Sequence, residues 1–539
     1  MSLKYLSAMV DVSRNSVLTI EECKKFMKVI KDMGYNSFVL YTEDLYEMPE
    51  YDMFGYLRGK YSKQDLKNLV AYGESIGITM IPSIEVLAHL QHIFRWSQFA
   101  NVRDCDDILL VDEPQTYELI ETMIKTMREI YKTDYIQLGC DEAAKLGLGN
   151  FLKKHGYENP KTIFSRHLHR CVEIAHKYGF TPRLSGDMFF SMALGKSDWY
   201  TSEPDVITPE IAALMPENAI FGYWDYFSHK PTVENMMREI KKFNRPIAFS
   251  TSICDWQGFA IHNNTAIETM SRSIPTVVKE GVDRININSW GDDGCESSIW
   301  AYLPSWFYGA KLAQGITDMD IIKQQFEEMF GIKMDDFMKL DYTADYTSGG
   351  YNFYSEKVLV FNDPFLGFFD DIAPHSDEFK TKMRNHAEEL KAFETNERFG
   401  YLFTACKALC ELLEVKSDLG IRTREVYHSG NKVELKKLIA DYEETYQRVC
   451  SFFNAFRDVW YRERKGNGFE VQAVRYGGLK ERLIDCKLRL QALLDGKINN
   501  ISELDEDIKK IHDQNALKCG TYGRIVTPNS LTHYNFYGF

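Results

Sequence analysis

Eight short β-rich runs, at residues 5–12, 37–41, 78–84, 135–138, 182–186, 219–224, 246–251 and 284–289, alternate with amphipathic helical stretches. Strict alternation is the pattern of a parallel sheet with covering helices, because a parallel crossover needs a connection of about helix length. Eight such units predict an α/β fold, the (β/α)8 TIM barrel. Helix starts are legible between the runs. Thr19-Ile-Glu-Glu22 reads as a capping box, and Ser62-Lys-Gln-Asp65 as a variant of it with Asp. Gly34, Gly77, Gly179 and Gly281 each precede a β-rich run and are expected to cap the helices C-terminally.

The pattern changes after residue 320. Apolar residues then recur at helical spacing over 319–338 and 377–494, with dense Lys and Glu and few strand signals. Two domains are therefore expected, a barrel over 1–325 and a mainly α-helical C-terminal domain over 326–539. Residues 342–374, rich in Tyr, Phe, Gly and Asp, have no period and are expected to form a packed connection. The tail holds Tyr522, Tyr534, Phe536, Tyr537 and Phe539, which are expected to dock on this chain or on a partner.

In such a barrel the chemistry sits just past the C-terminal ends of the strands, so residues far apart in sequence share one rim. The most suggestive segment is Tyr135-Ile-Gln-Leu-Gly-Cys-Asp141-Glu142-Ala, an apolar run that ends in two adjacent acids. Neighbouring side chains on a strand point to opposite faces, so the two acids converge only if the backbone turns, and Gly139 permits that. The competing reading is that Asp141 caps a following helix with Glu142 in its first turn. The other strand ends contribute Asp11 and Arg14, Glu43 and Asp44, Glu85 and His89, Asp187, Trp224 to Tyr226, Asp255 and Trp256, and Trp290 with Asp292. Acids and an Arg suit sugar hydroxyls, and large aromatic rings suit the apolar face of a pyranose.

Several other classes are excluded or disfavoured. A net charge of −14 argues against nucleic acid or an anionic membrane as the main partner. No apolar stretch reaches the ~18 residues a membrane helix needs. No Gly-rich phosphate loop is evident. The eleven scattered cysteines fit free thiols in a reducing compartment, hence a cytoplasmic protein, and the Cys406/Cys410 pair has no second ligand pair for zinc. Neither a metal nor an organic cofactor is expected.

These rim segments resemble the β-N-acetylhexosaminidases of glycoside hydrolase family 20, in particular bacterial exo-β-N-acetylglucosaminidases with a helical C-terminal domain. Met9-Val-Asp11-Val-Ser-Arg14 is similar to the family's strand-one Asp-x-Ser-Arg, which implies that Arg14 bonds O3 and O4 of the terminal sugar. Ile81-Pro-Ser-Ile-Glu-Val-Leu-Ala-His89 resembles the segment ending in the active-site His. Leu138-Gly-Cys-Asp141-Glu142 matches the catalytic Gly-x-Asp-Glu. Trp290-Gly-Asp292 resembles the strand-eight Trp-Gly-acid that contacts O4 and O6. The barrel pattern starts almost at residue 5, without the small α/β domain that often precedes it in that family.

The resemblance implies a retaining, substrate-assisted mechanism in which the 2-acetamido oxygen attacks C1 to give an oxazolinium. Glu142 is then the general acid and base, Asp141 the partner of the acetamido N–H, and Tyr226 the candidate donor to the acetamido oxygen. His89 orients the acids, while Trp224, Trp256 and Trp290 line the sugar. The implied substrate is an oligosaccharide ending in β-linked GlcNAc or GalNAc, and the helical domain is a candidate homodimer interface. Two departures stand out. Ser185-Gly-Asp187 replaces a Trp-x-Asp, and Cys254-Asp-Trp256 replaces a Trp-x-Trp. Both are expected to loosen the wall around the 2-substituent. The alternatives are therefore a same-fold glycosidase of altered 2-substituent specificity and a non-catalytic sugar-binding barrel.

Overall fold

Strand one (Tyr5–Asp11) pairs in parallel with strand two (Ser37–Tyr41) on one side and with strand eight (Arg284–Ser289) on the other. The computed structural model describes residues 3–196, 199–256, 258–292, 294–344 and 355–509. Its remaining barrel strands are Thr79–Ser83, Tyr135–Gln137, Thr181–Ser185, Ile220–Trp224 and Ile247–Ser252, numbered three to seven. Every neighbouring pair is parallel and the sheet closes in sequence order. The expected (β/α)8 barrel is thus observed, each strand lying on its β-rich run.

Local chemistry explains the helix positions. Ser62 and Asp65 form a complete reciprocal capping box ahead of helix Lys63–Ile76. At Ile20–Met33 only half of the expected box forms. Thr19 Oγ1 accepts the Glu22 N–H at 3.2 Å, but the Glu22 carboxylate accepts the Trp300 indole N–H. Gly34 and Gly77 are left-handed C-caps as expected, whereas Gly179 and Gly281 lie one residue beyond the caps Tyr178 and Glu280.

The barrel interior is small and mixed. Met9, Val39, Tyr41, Ile81, Tyr135, Ile220 and Ala248 fill its apolar part. Arg183 crosses the interior, donating to Gln137 Oε1 at 2.9 Å and to Ser250 Oγ at 2.8 Å, so its buried charge is hydrogen-bonded. A larger apolar layer lies between the strands and the surrounding helices.

From residue 319 the described structure is helical. Helix Met319–Phe330 spans the expected boundary at 325 and packs Phe326 and Phe330 edge-on against Phe307 of the last barrel helix, Leu303–Ala313. The long helices Gly400–Lys416, Lys432–Glu463 and Phe469–Leu494 then build a second core around Leu412, Tyr442, Phe452, Phe453 and Tyr476. Of the expected connection over 342–374, residues 355–374 are described and contribute Val358, Phe365 and Phe369 to this core. The aromatic tail lies outside the described residues. The element that sequence periodicity missed is a hairpin, Arg103–Cys105 with Ile108–Leu109, inserted after strand three. Its strands are too short to show alternation.

Candidate active site

The turn after strand four is written in backbone angles. Gly139 (φ 63°), Cys140 (φ 72°) and Glu142 (φ 53°) all adopt left-handed conformations, which L-residues other than Gly, Asn and Asp rarely do. This wrenches the chain so that Asp141 and Glu142 face the same cleft. No helix follows until Asn150–His155, whose N-cap is Gly149, so the helix-cap reading of the acid pair is set aside. The strained turn is held from outside. The Cys140 N–H donates to Glu85 Oε2 at 3.2 Å and the Glu142 N–H to Asp187 Oδ2 at 2.9 Å. A β-carbon at Gly139 would overlap the Glu85 carboxylate, so only glycine lets that acid reach the backbone.

His89 joins the pair. Its Nε2 lies 3.6 Å from Asp141 Oδ2 and 3.7 Å from Glu142 Oε2. His89 is itself left-handed (φ 59°), and its N–H donates to Asp107 Oδ2 at 3.0 Å, from the tip of the inserted hairpin. Burial alone would depress the imidazole pKa, but the carboxylates of Asp141, Glu85 and Glu142 raise it well above the ordinary histidine value. The same contact acts oppositely on Asp141. Burial would raise that carboxyl, and His89, with Arg183 behind it, holds it below the usual range.

Glu142 moves the other way. Loss of water in the cleft raises its pKa, with Asp141 and Asp292 adding to the shift and His89 and Arg14 opposing it. Its side chain still keeps 59% of its surface open, so a ligand filling the cleft would strip more water from it and move it further in that direction. Two adjacent carboxyls are thus pushed apart, one kept charged and the other inclined to hold a proton.

Across the cleft Arg14 forms a second cluster. Its guanidinium lies 3.3 Å from Glu43, and 3.7 Å from both Asp11 and Asp292. Burial lifts the Glu43 carboxyl to about 7, against the pull of Arg14 and His89. Asp11 acts as a strut. It accepts the Ser13 N–H and hydroxyl at 2.7 Å with one oxygen and the Gly291 N–H at 3.0 Å with the other, tying the loop of strand one to that of strand eight. Asp292 is half exposed and faces the opening.

Aromatic rings close the remaining side. Tyr226 stacks on Trp224 at 5.1 Å and packs at 5.5 Å on Trp256, while Trp290 Nε1 donates to the Tyr226 hydroxyl at 2.8 Å. Trp290 is oriented by Asp255, which accepts its backbone N–H at 2.9 Å, and by Tyr41, whose ring meets it edge-on at 5.0 Å. Arg14, His89, Asp141, Glu142, Trp224, Tyr226, Trp256, Trp290 and Asp292 therefore share one end of the barrel. Ser185 and Cys254 are both buried, and the Cys254 thiol packs into the layer between strands and helices. Aromatics that sequence reading missed stand nearby. Trp199 and Tyr200, beyond the helix Asp187–Leu194 that follows strand five, pack against Trp224 at 4.8 and 5.7 Å. The Trp199-Tyr200 dipeptide itself was the available signal. Asp107 gave none, being one acid among Asp104, Asp106 and Asp107.

No cluster of His, Cys, Asp and Glu able to hold a metal ion occurs among the described residues.

Comparison with known proteins gives two family matches. Residues 4–285 match the catalytic domain of glycosyl hydrolase family 20, and residues 335–522 match the glycoside hydrolase 20C C-terminal domain. The beta-hexosaminidase subunit beta of Entamoeba histolytica is 25% identical over 165 residues, 26% of this chain and 28% of that protein. The beta-hexosaminidase of Akkermansia muciniphila is 29% identical over 97 residues, 16% of this chain and 20% of that one. The alignments thus span less than a third of these curated relatives. Among solved structures, the family 20 exo β-N-acetylglucosaminidase of Vibrio harveyi in complex with N-acetylglucosamine aligns at 12% identity and a TM-score of 0.47, covering 61% of this chain and 58% of that one.

Proposed function

The chain belongs to glycoside hydrolase family 20, and on that premise we propose that it is a retaining exo-β-N-acetylhexosaminidase that releases terminal β-linked GlcNAc or GalNAc from oligosaccharides. The observation that carries this reading is the divergence of Asp141 and Glu142 around one histidine. Glu142 protonates the leaving oxygen as the 2-acetamido oxygen attacks C1, and then takes a proton from the water that opens the oxazolinium. Asp141, held charged, accepts the acetamido N–H and stabilises the positive charge that develops on the ring.

Tyr226 fits the oxygen end of the acetamide. Its hydroxyl already accepts from Trp290 Nε1 at 2.8 Å and from Asn288 Nδ2 at 3.4 Å, so its own proton is directed elsewhere. Arg14 and Asp292 take the sugar hydroxyls on the opposite side. Ser185 and Cys254 stand where the resemblance leads one to expect tryptophans, while Trp199 and Tyr200 pack behind Trp224, which favours some change in 2-substituent preference over loss of catalysis.

The test is hydrolysis of a chromogenic aryl β-GlcNAc by the full chain and by Glu142→Gln. The variant should lose about 10² to 10⁴ in kcat/KM, which reports the first step, the usual worth of a general acid, and less on a dinitrophenyl leaving group that needs no proton. Equal loss of kcat/KM on both leaving groups would remove Glu142 from the acid role. Tight binding of a GlcNAc thiazoline would support the oxazolinium route.

For assembly and location we propose a homodimer in a reducing compartment, the cytoplasm. Every cysteine among the described residues is a free thiol, and no described helix is long and apolar enough to cross a membrane. Val433, Tyr461, Val474 and Leu488 leave apolar surface open on the helical region. Light scattering tests the dimer.

A further inference from the structure

We propose that the segment 463–475 of the helical region is a positioning element for the sugar-hydroxyl side of the pocket, and that it tunes discrimination at O4. The inference rests on the reading of Arg14 and Asp292 as the hydroxyl grip.

The segment runs along the loop of strand one. The Thr19 N–H donates to the Glu463 carbonyl at 3.0 Å, Leu18 and Arg464 form an antiparallel bridge, and the Lys465 N–H donates to the Val17 carbonyl at 2.8 Å. At Gly468, a left-handed residue (φ 94°), it presses so closely on Asn15 that a β-carbon would overlap the Asn15 carbonyl. Asn15 is also left-handed (φ 65°) and directly follows Arg14. The position of the Arg14 backbone is therefore set against glycine 468.

The same segment reaches two more rim loops. Lys465 Nζ donates to the Gly59 carbonyl at 2.7 Å and Asn467 Nδ2 to the Leu57 carbonyl at 3.0 Å, either side of Arg58. Arg58 in turn bonds Asp44 and the Ser13 carbonyl, beside Arg14. At the strand-eight loop, Arg475 pairs with buried Glu296, and its guanidinium lies against Gly294, two residues after Asp292. The loops of strands one, two and eight, which carry Arg14, Glu43 and Asp292, are thus all held by residues 463–475. The other half of the site has different supports. His89 is held by Asp107, and the 139–142 turn by Glu85 and Asp187. A shift in 463–475 should then move the hydroxyl grip and leave the acid pair in place.

The experiment compares the full-length chain with Gly468→Ala and Lys465→Met on aryl β-GlcNAc and aryl β-GalNAc, reading KM and kcat separately. Lys465→Met removes the ammonium that donates to the Gly59 carbonyl and lies 4.4 Å over the Tyr61 ring, keeps a stem of similar length, and carries the test if Gly468→Ala does not fold. The expected result is a rise in KM of about tenfold for Gly468→Ala and a smaller one for Lys465→Met. The GlcNAc to GalNAc ratio of kcat/KM should change at least threefold, with kcat nearly unmoved. Folded variants with unchanged KM and ratio would overturn the proposal, as would a fall in kcat equal on both substrates with KM unchanged, since the segment would then support the acid pair rather than the hydroxyl grip. If the parent chain turns over neither substrate, it is the proposed activity that fails, and GlcNAc binding by calorimetry on the same variants then decides the positioning role.

Discussion

His89 Nε2 stands 3.6 Å from the Asp141 carboxylate, close enough that each group holds the other in its charged form. The same imidazolium lowers Glu142 across 3.7 Å, so one histidine sets both acids.

His89→Gln should therefore move both limbs of the pH profile together. Without the positive charge the Asp141 pKa rises, displacing the acid limb to higher pH, and the Glu142 pKa also rises, displacing the alkaline limb the same way. Stability gives a second readout with its own sign. The His89 pKa is raised on folding, so its contribution is complete below about pH 6.5 and is lost as pH climbs through the raised value. The Tm gap between parent and variant should narrow on the alkaline side, as thermal melts across pH would show. A gap that widens with pH would contradict the pairing.

Gly139→Ala should damage fold and catalysis at once. The residue is left-handed and a methyl group there would run into the Glu85 carboxylate, the acid that secures the Cys140 N–H. Backbone strain of this kind costs about 1–3 kcal/mol, and the overlap adds to it. Urea unfolding should report the loss, and kcat should fall in the soluble variant because the turn that aims both acids can no longer close.

The acid pair shows how far sequence reasoning reaches. Eight β-rich runs between amphipathic helices were enough to put residues as distant as Arg14 and Asp292 on one rim, since in a closed parallel barrel that rim follows from strand order alone. The convergence of Asp141 and Glu142 was legible only as a possibility opened by Gly139. The left-handed angles at Cys140 and Glu142 are imposed by Glu85 and Asp187, which arrive from other strands and leave no local mark. Asp107 was invisible for a related reason: its hairpin strands, three and two residues long, are shorter than any period. Glu22 misled in the opposite direction, because a local capping pattern lost to a tertiary bond from Trp300.

Asp187 separates shape from charge. It is buried, and burial together with the nearby Asp141 charge pushes its carboxyl well above the ordinary range, while its Oδ2 accepts the Glu142 N–H at 2.9 Å. An amide oxygen can accept the same bond without the repulsion. Asp187→Asn should keep stability within about 1 kcal/mol of the parent, whereas Asp187→Ala leaves a part-buried N–H without its acceptor and should cost about 1–3 kcal/mol. Chemical denaturation of the two variants distinguishes them, and equal losses would show that the negative charge itself is needed.

Asp107 tests whether the inserted hairpin serves the site. Its carboxylate accepts the N–H of left-handed His89 at 3.0 Å, and its carbonyl accepts the Leu90 N–H at 3.1 Å, so the hairpin tip fixes the backbone from which the imidazole projects. Asp107→Ala removes the side-chain bond only, since the carbonyl contact survives any substitution. The hairpin should stay folded, because its second strand is anchored independently by the Leu109 N–H on the Leu87 carbonyl at 2.8 Å. Released from its acceptor, the His89 backbone can leave a conformation that is unfavourable for histidine, and the imidazole then spends less time between the two acids. The pH profile should shift toward higher pH in the direction of His89→Gln but by less, with a modest fall in kcat and little change in Tm. In the double variant the second substitution should add almost nothing, because both act through the same imidazole. Additive losses in that cycle would mean that Asp107 reaches the site by some other route.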